Sequence, residues 1–255
     1  MNIKDDLKFK ITILGSGTCV PSLERSSCAA LVEISEKKIL IDSGAGTIRR
    51  LLKYGVHIND IDIILYTHLH PDHTCEIIPF LFASKYGKKR DKKLSIYAGA
   101  GFKDFFGKLK EAYNQWIDPG DILDIIEIKK TVNFKTFSID IAKVNHTPQS
   151  LAYKIKNRNF SIVYSGDTDY SKNLIDLAKN SDILISECSH PDELKTDGHL
   201  TPSLAGEIAT KAAVKKLVLT HFYPECEKVD IEKECRKTYS GELILGKDLL
   251  TINTR

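Results

Sequence analysis

The chain has six cysteines, and none forms a Cys-x-x-Cys pair. A cysteine-rich zinc site needs clustered spacing, so that class is excluded and the thiols read as reduced and mostly buried. No stretch approaches the roughly 20 consecutive apolar residues that span a bilayer. The opening residues Met1-Asn2-Ile3-Lys4-Asp5-Asp6 are polar and offer no apolar signal core. The chain therefore reads as soluble and cytoplasmic. No linker-like or low-complexity segment divides its 255 residues, and a single domain over 1–255 is expected. Charge is also nearly balanced. A net charge of +3 names no partner. The sharpest local bias is a run holding Lys85, Lys88, Lys89, Arg90, Lys92 and Lys93, read as a solvated loop, with phosphate steering as the alternative.

What is present is ordinary globular composition, 42% hydrophobic and 28% charged. Strand-like runs recur at Phe9–Leu14, Ala30–Ile34, Lys38–Ile41, Ile61–Tyr66, Leu94–Tyr97, Phe134–Val144, Leu151–Ile155, Ser161–Ser165, Ile183–Ser186 and Leu217–Thr220. Helical patterns lie between them at Thr47–Tyr54, His73–Lys85, Phe102–Tyr113, Ser171–Lys179 and Thr201–Val214, the last with a cap near Thr201. Strands mixed with helices predict an α/β layered architecture. A weak internal echo joins the segment around Ile63–Pro71 to Leu217–Pro224: each is an apolar strand ending in Thr-His.

The residues that carry chemistry are concentrated. His68-Leu69-His70-Pro71-Asp72-His73 holds three of the chain's eight histidines and an aspartate, between a buried strand and a helix. A strand end is rigid, and the following turn can fan imidazoles and a carboxylate toward one point. Those are ligands for zinc, manganese or iron. His146, Asp167 and His221 each follow a predicted strand. Asp42, ending another, is read either as orienting a ligand histidine or as capping the helix near Gly46; Thr67 could orient similarly. Glu187 could be a buried acid partner. His57 and His190 read as loop residues.

The six-residue run resembles the His-x-His-x-Asp-His signature of the metallo-β-lactamase superfamily, and His146, Asp167 and His221 follow in the expected order. The resemblance covers nearly the whole chain. It implies an αββα sandwich, two mixed β-sheets flanked by helices. It further implies that His68, His70 and His146 hold one divalent ion and Asp72, His73 and His221 a second, with Asp167 bridging and a shared water completing both. Zinc is the first expectation, manganese or iron the alternatives. Such a pair lowers the pKa of the water and stabilises charge in an in-line displacement.

His199, in Gly198-His199-Leu200-Thr201-Pro202, resembles the extra histidine of the ribonuclease Z and phosphodiesterase branch. That implies a general acid for the leaving oxygen. Asp72 and His199 are thus the expected catalytic residues, and N–H groups of the helix near Thr201 could bind a phosphate oxygen. Leu14-Gly15-Ser16-Gly17-Thr18 and Ile96-Tyr97-Ala98-Gly99 are also similar to that branch. Two departures stand out. Pro71 replaces a usual glycine, and only 21 positions separate His146 from Asp167, where ribonuclease Z carries a long tRNA-gripping arm. The expected function is therefore a phosphodiesterase acting on a small or cyclic nucleotide, with RNA cleavage at a tRNA 3′ end as one alternative and thioester or lactone hydrolysis as another. His70 argues against a diiron oxidoreductase, and seven filled ligand positions argue against a disabled scaffold. No membrane partner is expected, and the resemblance allows a homodimer.

Overall fold

The structure, a computed structural model, describes residues 9–88 and 90–253; Lys89 of the basic run and the polar start Met1–Asp6 lie outside them. One sheet contains β1 (Phe9–Gly15), β2 (Ala29–Ile34), β3 (Lys37–Ile41), β4 (Ile63–Leu65), β5 (Leu94–Ala98), β6 (Leu123–Glu127) and β14 (Leu250–Asn253), in the order β14-β1-β2-β3-β4-β5-β6. The other contains β7 (Val132–Asn133), β8 (Ser138–Lys143), β9 (Leu151–Lys156), β10 (Ser161–Tyr164), β11 (Ile183–Glu187), β12 (Lys216–Thr220) and β13 (Glu242–Leu245), in the order β13-β12-β11-β10-β9-β8-β7. Each sheet is mixed. Pairing is antiparallel from β14 through β3 and from β7 through β10, then parallel through β6 and β13.

Strand periodicity explains the layering. Successive side chains point to opposite faces, so a strand covered on both sides must be apolar throughout. In β4, Ile63 and Leu65 enter the core between the sheets, while Ile64 joins the outer core. In β11, Ile183 and Ile185 face inward and Leu184 outward. Helices α1 (Thr47–Tyr54), α3 (Ile77–Tyr86) and α4 (Phe102–Tyr113) cover the first sheet through Leu51, Phe80, Leu81, Phe102 and Phe106. Helices α5 (Lys172–Ala178), α6 (Pro202–Lys211) and α7 (Ile231–Cys235) cover the second through Leu174, Ile208, Ala209 and Ile231. The order helix, sheet, sheet, helix is the expected αββα sandwich. No helix among the described residues is long and apolar enough to cross a membrane.

Four strands escape the sequence pattern: β6, β7, β13 and β14. All four are sheet edges. An edge strand pairs on one side and is covered poorly, so its apolar alternation is weak; β6 is half-buried throughout. Two boundaries also differ. Phe134–Phe137 precedes β8 as a turn with the two rings stacked at 4.4 Å. The helix expected over His73–Lys85 divides into α2 (Pro71–Thr74) and α3, because the break at Cys75–Glu76 turns Glu76 back to accept hydrogen bonds from the N–H groups of Gly46 (2.7 Å) and Ile48 (2.6 Å).

Candidate metal centre

The carboxyl ends of β3, β4, β10, β11 and β12 deliver Asp42, His68, Asp167, Glu187 and His221, and the turn after β8 adds His146. Ends of parallel strands are where an open α/β sheet leaves a crevice. Two glycines let the turns approach closely. A Cβ on Gly44 would lie 2.0 Å from the Asp72 carbonyl oxygen, and one on Gly166, at φ +58°, 2.8 Å from Thr67 Cβ. Asp42 and His221 adopt φ of 58° and 62°, rare for residues bearing a side chain. Such strain gathers where the surrounding structure fixes a functional group.

The two oxygens of Asp167 face different histidines. Oδ2 lies 3.7 Å from His68 Nε2 and 3.8 Å from His146 Nε2. Oδ1 lies 3.2 Å from His73 Nε2 and 3.4 Å from His221 Nε2. His70 presents Nδ1, 3.1 Å from His146 Nε2. Asp72 Oδ2 lies 3.6 Å from His221 Nε2 and 3.9 Å from His73 Nε2. Donors bound tetrahedrally at ~2.0–2.1 Å from one ion stand about 3.4 Å apart, so these separations suit ligands around a small cation. Three overlapping donor groups result, His68–His70–His146–Asp167, Asp72–His73–His221 and Asp167–His199–His221, each able to hold a metal ion.

Hydrogen bonding gives an independent test of that fit. Among the described residues, six buried side-chain polar atoms lack a partner, and four are His68 Nε2, His73 Nε2, His221 Nε2 and Asp167 Oδ1. Leaving such atoms unpaired costs ~1–3 kcal/mol each, so their convergence fits a cation. The opposite ring nitrogens are held. His73 Nδ1–H donates to Asp42 Oδ2 at 2.8 Å, and His68 Nδ1–H to Thr67 Oγ1 at 3.1 Å. His146 Nδ1–H donates to the Gly198 carbonyl at 2.9 Å, and His221 Nδ1–H to Ser189 Oγ at 2.9 Å. This fixes the tautomer that aims Nε2 lone pairs at the centre. Charge agrees. Burial, then the charge on His73, pushes His68 down to about 2, so it stays a neutral ligand. Burial works to raise Asp72, yet bonding and charge from His221 and His73 bring it down to about 2. Asp167 is held well below the carboxylate range because the charges of His221 and His73 outweigh its burial.

All eight expected site residues come together here, and the open questions around them resolve. Asp42 orients His73 rather than capping α1, whose N-cap is Gly46; its oxygens also accept Thr67 N and Thr67 Oγ1, each at 2.8 Å. Glu187 is a buried acid partner: Oε1 accepts from His199 Nδ1–H at 3.1 Å, and Oε2 from Ser189 Oγ at 2.6 Å. His199 stacks beside His221, with ring centroids 5.8 Å apart and 15° between planes. Burial pulls its pKa down, but the Glu187 hydrogen bond and charge prevail and raise it. His57 is exposed and caps the turn Ile58–Asp60.

Three features were not anticipated. Ser189 joins Glu187 to His221, the Gly198 carbonyl anchors His146, and Tyr223 packs beside His221 with ring centroids 6.1 Å apart. Only proximity in sequence to Glu187, His199 and His221 hinted at them. Two expectations change. The first turn of α6 offers no simple anion cradle, since Pro202 has no N–H and Ser203 N donates to Asp192. The basic run is largely spent on structure. Arg90 is buried and donates to the carbonyls of Ile58, Ile61, Lys92 and Lys93, while Lys92 and Lys93 bind Asp62 and Asp124. Asp62 precedes β4, whereas His68 follows it, so the run lies at the end of the strand remote from the centre.

Comparison with known proteins follows this geometry. Residues 9–239 match the family model described as anti-Pycsar protein Apyc1. The chain belongs to the Apyc1 family. Among other relatives of this Apyc1-family protein, the probable metallo-hydrolase YhfI of Bacillus subtilis is 27% identical over 245 residues, covering 94% of the chain and 97% of YhfI. The crystal structure of YhfI, a metallo-β-lactamase fold protein, superposes with a TM-score of 0.86 at 25% identity, covering 97% and 99% of the two chains. A ribonuclease Z of Archaeoglobus fulgidus is 27% identical, covering 96% of this chain and 97% of that protein. That alignment extends over 305 positions, longer than the chain itself, and so opens gaps in it; the YhfI alignment needs no such length. The Apyc1-family chain is a metallo-hydrolase with the metallo-β-lactamase fold, and its His/Asp groups are able to hold metal ions.

Proposed function

We propose that this protein is a cytoplasmic phosphodiesterase with two divalent ions, zinc first and manganese or iron as alternatives, acting on a small or cyclic nucleotide. His68, His70 and His146 would hold one ion, Asp72, His73 and His221 the other, and Asp167 both. The observation that carries this reading is Asp167, whose separate oxygens address separate histidine pairs. When bound, two such ions supply a lowered water pKa and charge stabilisation at a phosphoryl oxygen. The chain's own residues do the rest. Asp42, Thr67, Ser189 and the Gly198 carbonyl hold four imidazoles in one tautomer. Glu187 holds His199 so that its Nε2 proton can pass to the departing ester oxygen. By its family description, this activity would serve in countering Pycsar. A homodimer belongs to the same reading.

A compact substrate is supported by the interval between His146 and Asp167, which the β9–β10 hairpin fills, and by the remote, internally paired basic run. Similarity to ribonuclease Z keeps cleavage of precursor tRNA as a second reading. It requires tRNA binding that weakens steeply with salt.

The test is hydrolysis of bis(p-nitrophenyl) phosphate by protein of measured metal content. Activity should follow metal content and fall about 100-fold or more in His70→Ala. Metal-free protein or a His70→Ala variant as fast as the metal-loaded natural protein overturns the proposal.

A further inference from the structure

Glu187 sets the ring of His199, but the residue itself sits on a loop, and the backbone of that loop needs its own anchor. From Glu193 to Asp197 the chain is exposed. Exposed segments of this kind open most easily unless hydrogen bonds tie them to the body of the protein. Among the described residues, the hydrogen bonds that tie 193–198 to anything beyond the loop reach two partners, Asp169 and His146. Asp169 makes most of them. Its Oδ2 accepts from Lys195 Nζ at 2.8 Å and from Gly198 N at 3.0 Å, while Oδ1 accepts from Tyr170 N at 2.7 Å. Hydrogen bonds to an ionised group are the strong ones. The Gly198 carbonyl, on the peptide that leads into His199, accepts from His146 Nδ1–H.

Asp169 is itself a fixed post. It follows Asp167 on the turn after β10. Its N–H donates to the Asn145 carbonyl at 2.7 Å. In return, Asn145 N donates to Thr168 Oγ1 at 3.1 Å, and Asn145 Nδ2 to the Tyr170 carbonyl at 2.8 Å. Asn145 directly precedes His146. The turn of Asp167, the turn of His146 and the loop of His199 are thus held in register through one carboxylate. That carboxylate belongs to none of the donor groups able to hold a metal ion.

We propose that Asp169 is a positioning residue: it docks the exposed loop carrying His199 onto the turns carrying Asp167 and His146. This rests on the phosphodiesterase reading, with His199 as the acid, and deepens it. Glu187 orients the ring and Asp169 the backbone beneath it. A group misplaced by 1 Å can lose ~10²-fold in rate, so a side chain that touches neither substrate nor ion can govern the acid step.

The test compares two diesters of similar shape in full-length protein at saturating metal: bis(p-nitrophenyl) phosphate, and diphenyl phosphate, whose leaving phenolate is more basic and needs the acid more. Asp169→Asn should slow diphenyl phosphate about tenfold or more and bis(p-nitrophenyl) phosphate less than about threefold. Lys195→Met, at the solvent side of the same tie, should show the same selectivity in smaller measure. In a His199→Ala background, Asp169→Asn should add no further loss on diphenyl phosphate, because both changes remove one function. In the natural protein, the Gly198 amide should exchange with deuterium about tenfold slower than those of Thr196 and Asp197, a readout independent of any variant's folding. Equal losses on the two diesters, a full additional loss in the double variant, or equal exchange of the three amides overturns the role of Asp169. His199→Ala separates the levels. A selective loss there without one in Asp169→Asn sinks only the positioning role. An unselective loss in His199→Ala sinks the acid and this proposal with it, and no hydrolysis of either diester by metal-loaded protein sinks the phosphodiesterase.

Discussion

His73 Nδ1 donates a hydrogen bond to Asp42 Oδ2 across 2.8 Å, and both side chains are wholly buried. A carboxylate behind a ligand imidazole fixes its orientation and strengthens its basicity; removing one typically costs 10–100-fold in metal affinity. Asp42→Asn should therefore weaken metal binding by about that factor, read by competition with a coloured chelator. Unchanged affinity would show that the contact holds the fold only.

Gly44 sits where α2 crosses the turn after β3. A methyl group there would meet the Asp72 carbonyl oxygen at 2.0 Å, backbone that cannot move without Asp72 and His73. Gly44→Ala should cost ~2 kcal/mol or more in urea unfolding and displace both donors, so metal content should fall too. Full stability with full metal content would contradict this packing.

His199 and Glu187 make a chemical distinction testable. An acid matters most when the leaving group is a basic alkoxide and least when it is p-nitrophenolate. His199→Ala should slow a nucleotide diester about 10²–10⁴-fold while slowing bis(p-nitrophenyl) phosphate far less. Because the pKa of His199 is raised, its acid form persists above the ordinary histidine range before activity on the nucleotide declines with rising pH. Equal losses on both substrates would remove the acid role.

Asp62 gives a pH prediction away from the centre. Burial works to raise its pKa, but hydrogen bonds from Lys38 N, Lys92 and Lys37 hold it below its ordinary value. A depressed folded pKa means the unfolded chain binds the proton more readily. Its stabilisation is thus complete above the unfolded pKa of about 3.9 and is lost as pH falls toward the folded value. Asp62→Asn should flatten the acid limb of a stability profile below about pH 4. An unchanged slope would mean that the lysines around Asp62 are free for another role.

Much of this was legible in the sequence, for a physical reason. A ligand must be a His or Asp at a rigid strand end, and the buried strands before His68, Asp167 and His221 are apolar on both faces. The echo between the His68 and His221 segments reflects that shared requirement, one strand in each sheet delivering one imidazole. Orienting groups were harder to read. Ser189 acts through a hydroxyl and Gly198 through a carbonyl, and neither chemistry depends on a distinctive spacing. Arg90 looked like part of a solvated run because its partners are backbone carbonyls at Ile58 and Ile61, distant in sequence. The edge strands β6, β7, β13 and β14 were missed because half-covered segments lack the apolar alternation of central ones.

The claim on which the account depends is that Asp167 lies between two ions. Its most direct test is titration of Mn²⁺ into metal-free protein, followed by electron paramagnetic resonance. The account predicts about two ions per chain with exchange coupling between them, and loss of that coupling in Asp167→Ala. One ion per chain, or two ions whose spectra stay independent in the natural protein, would contradict it.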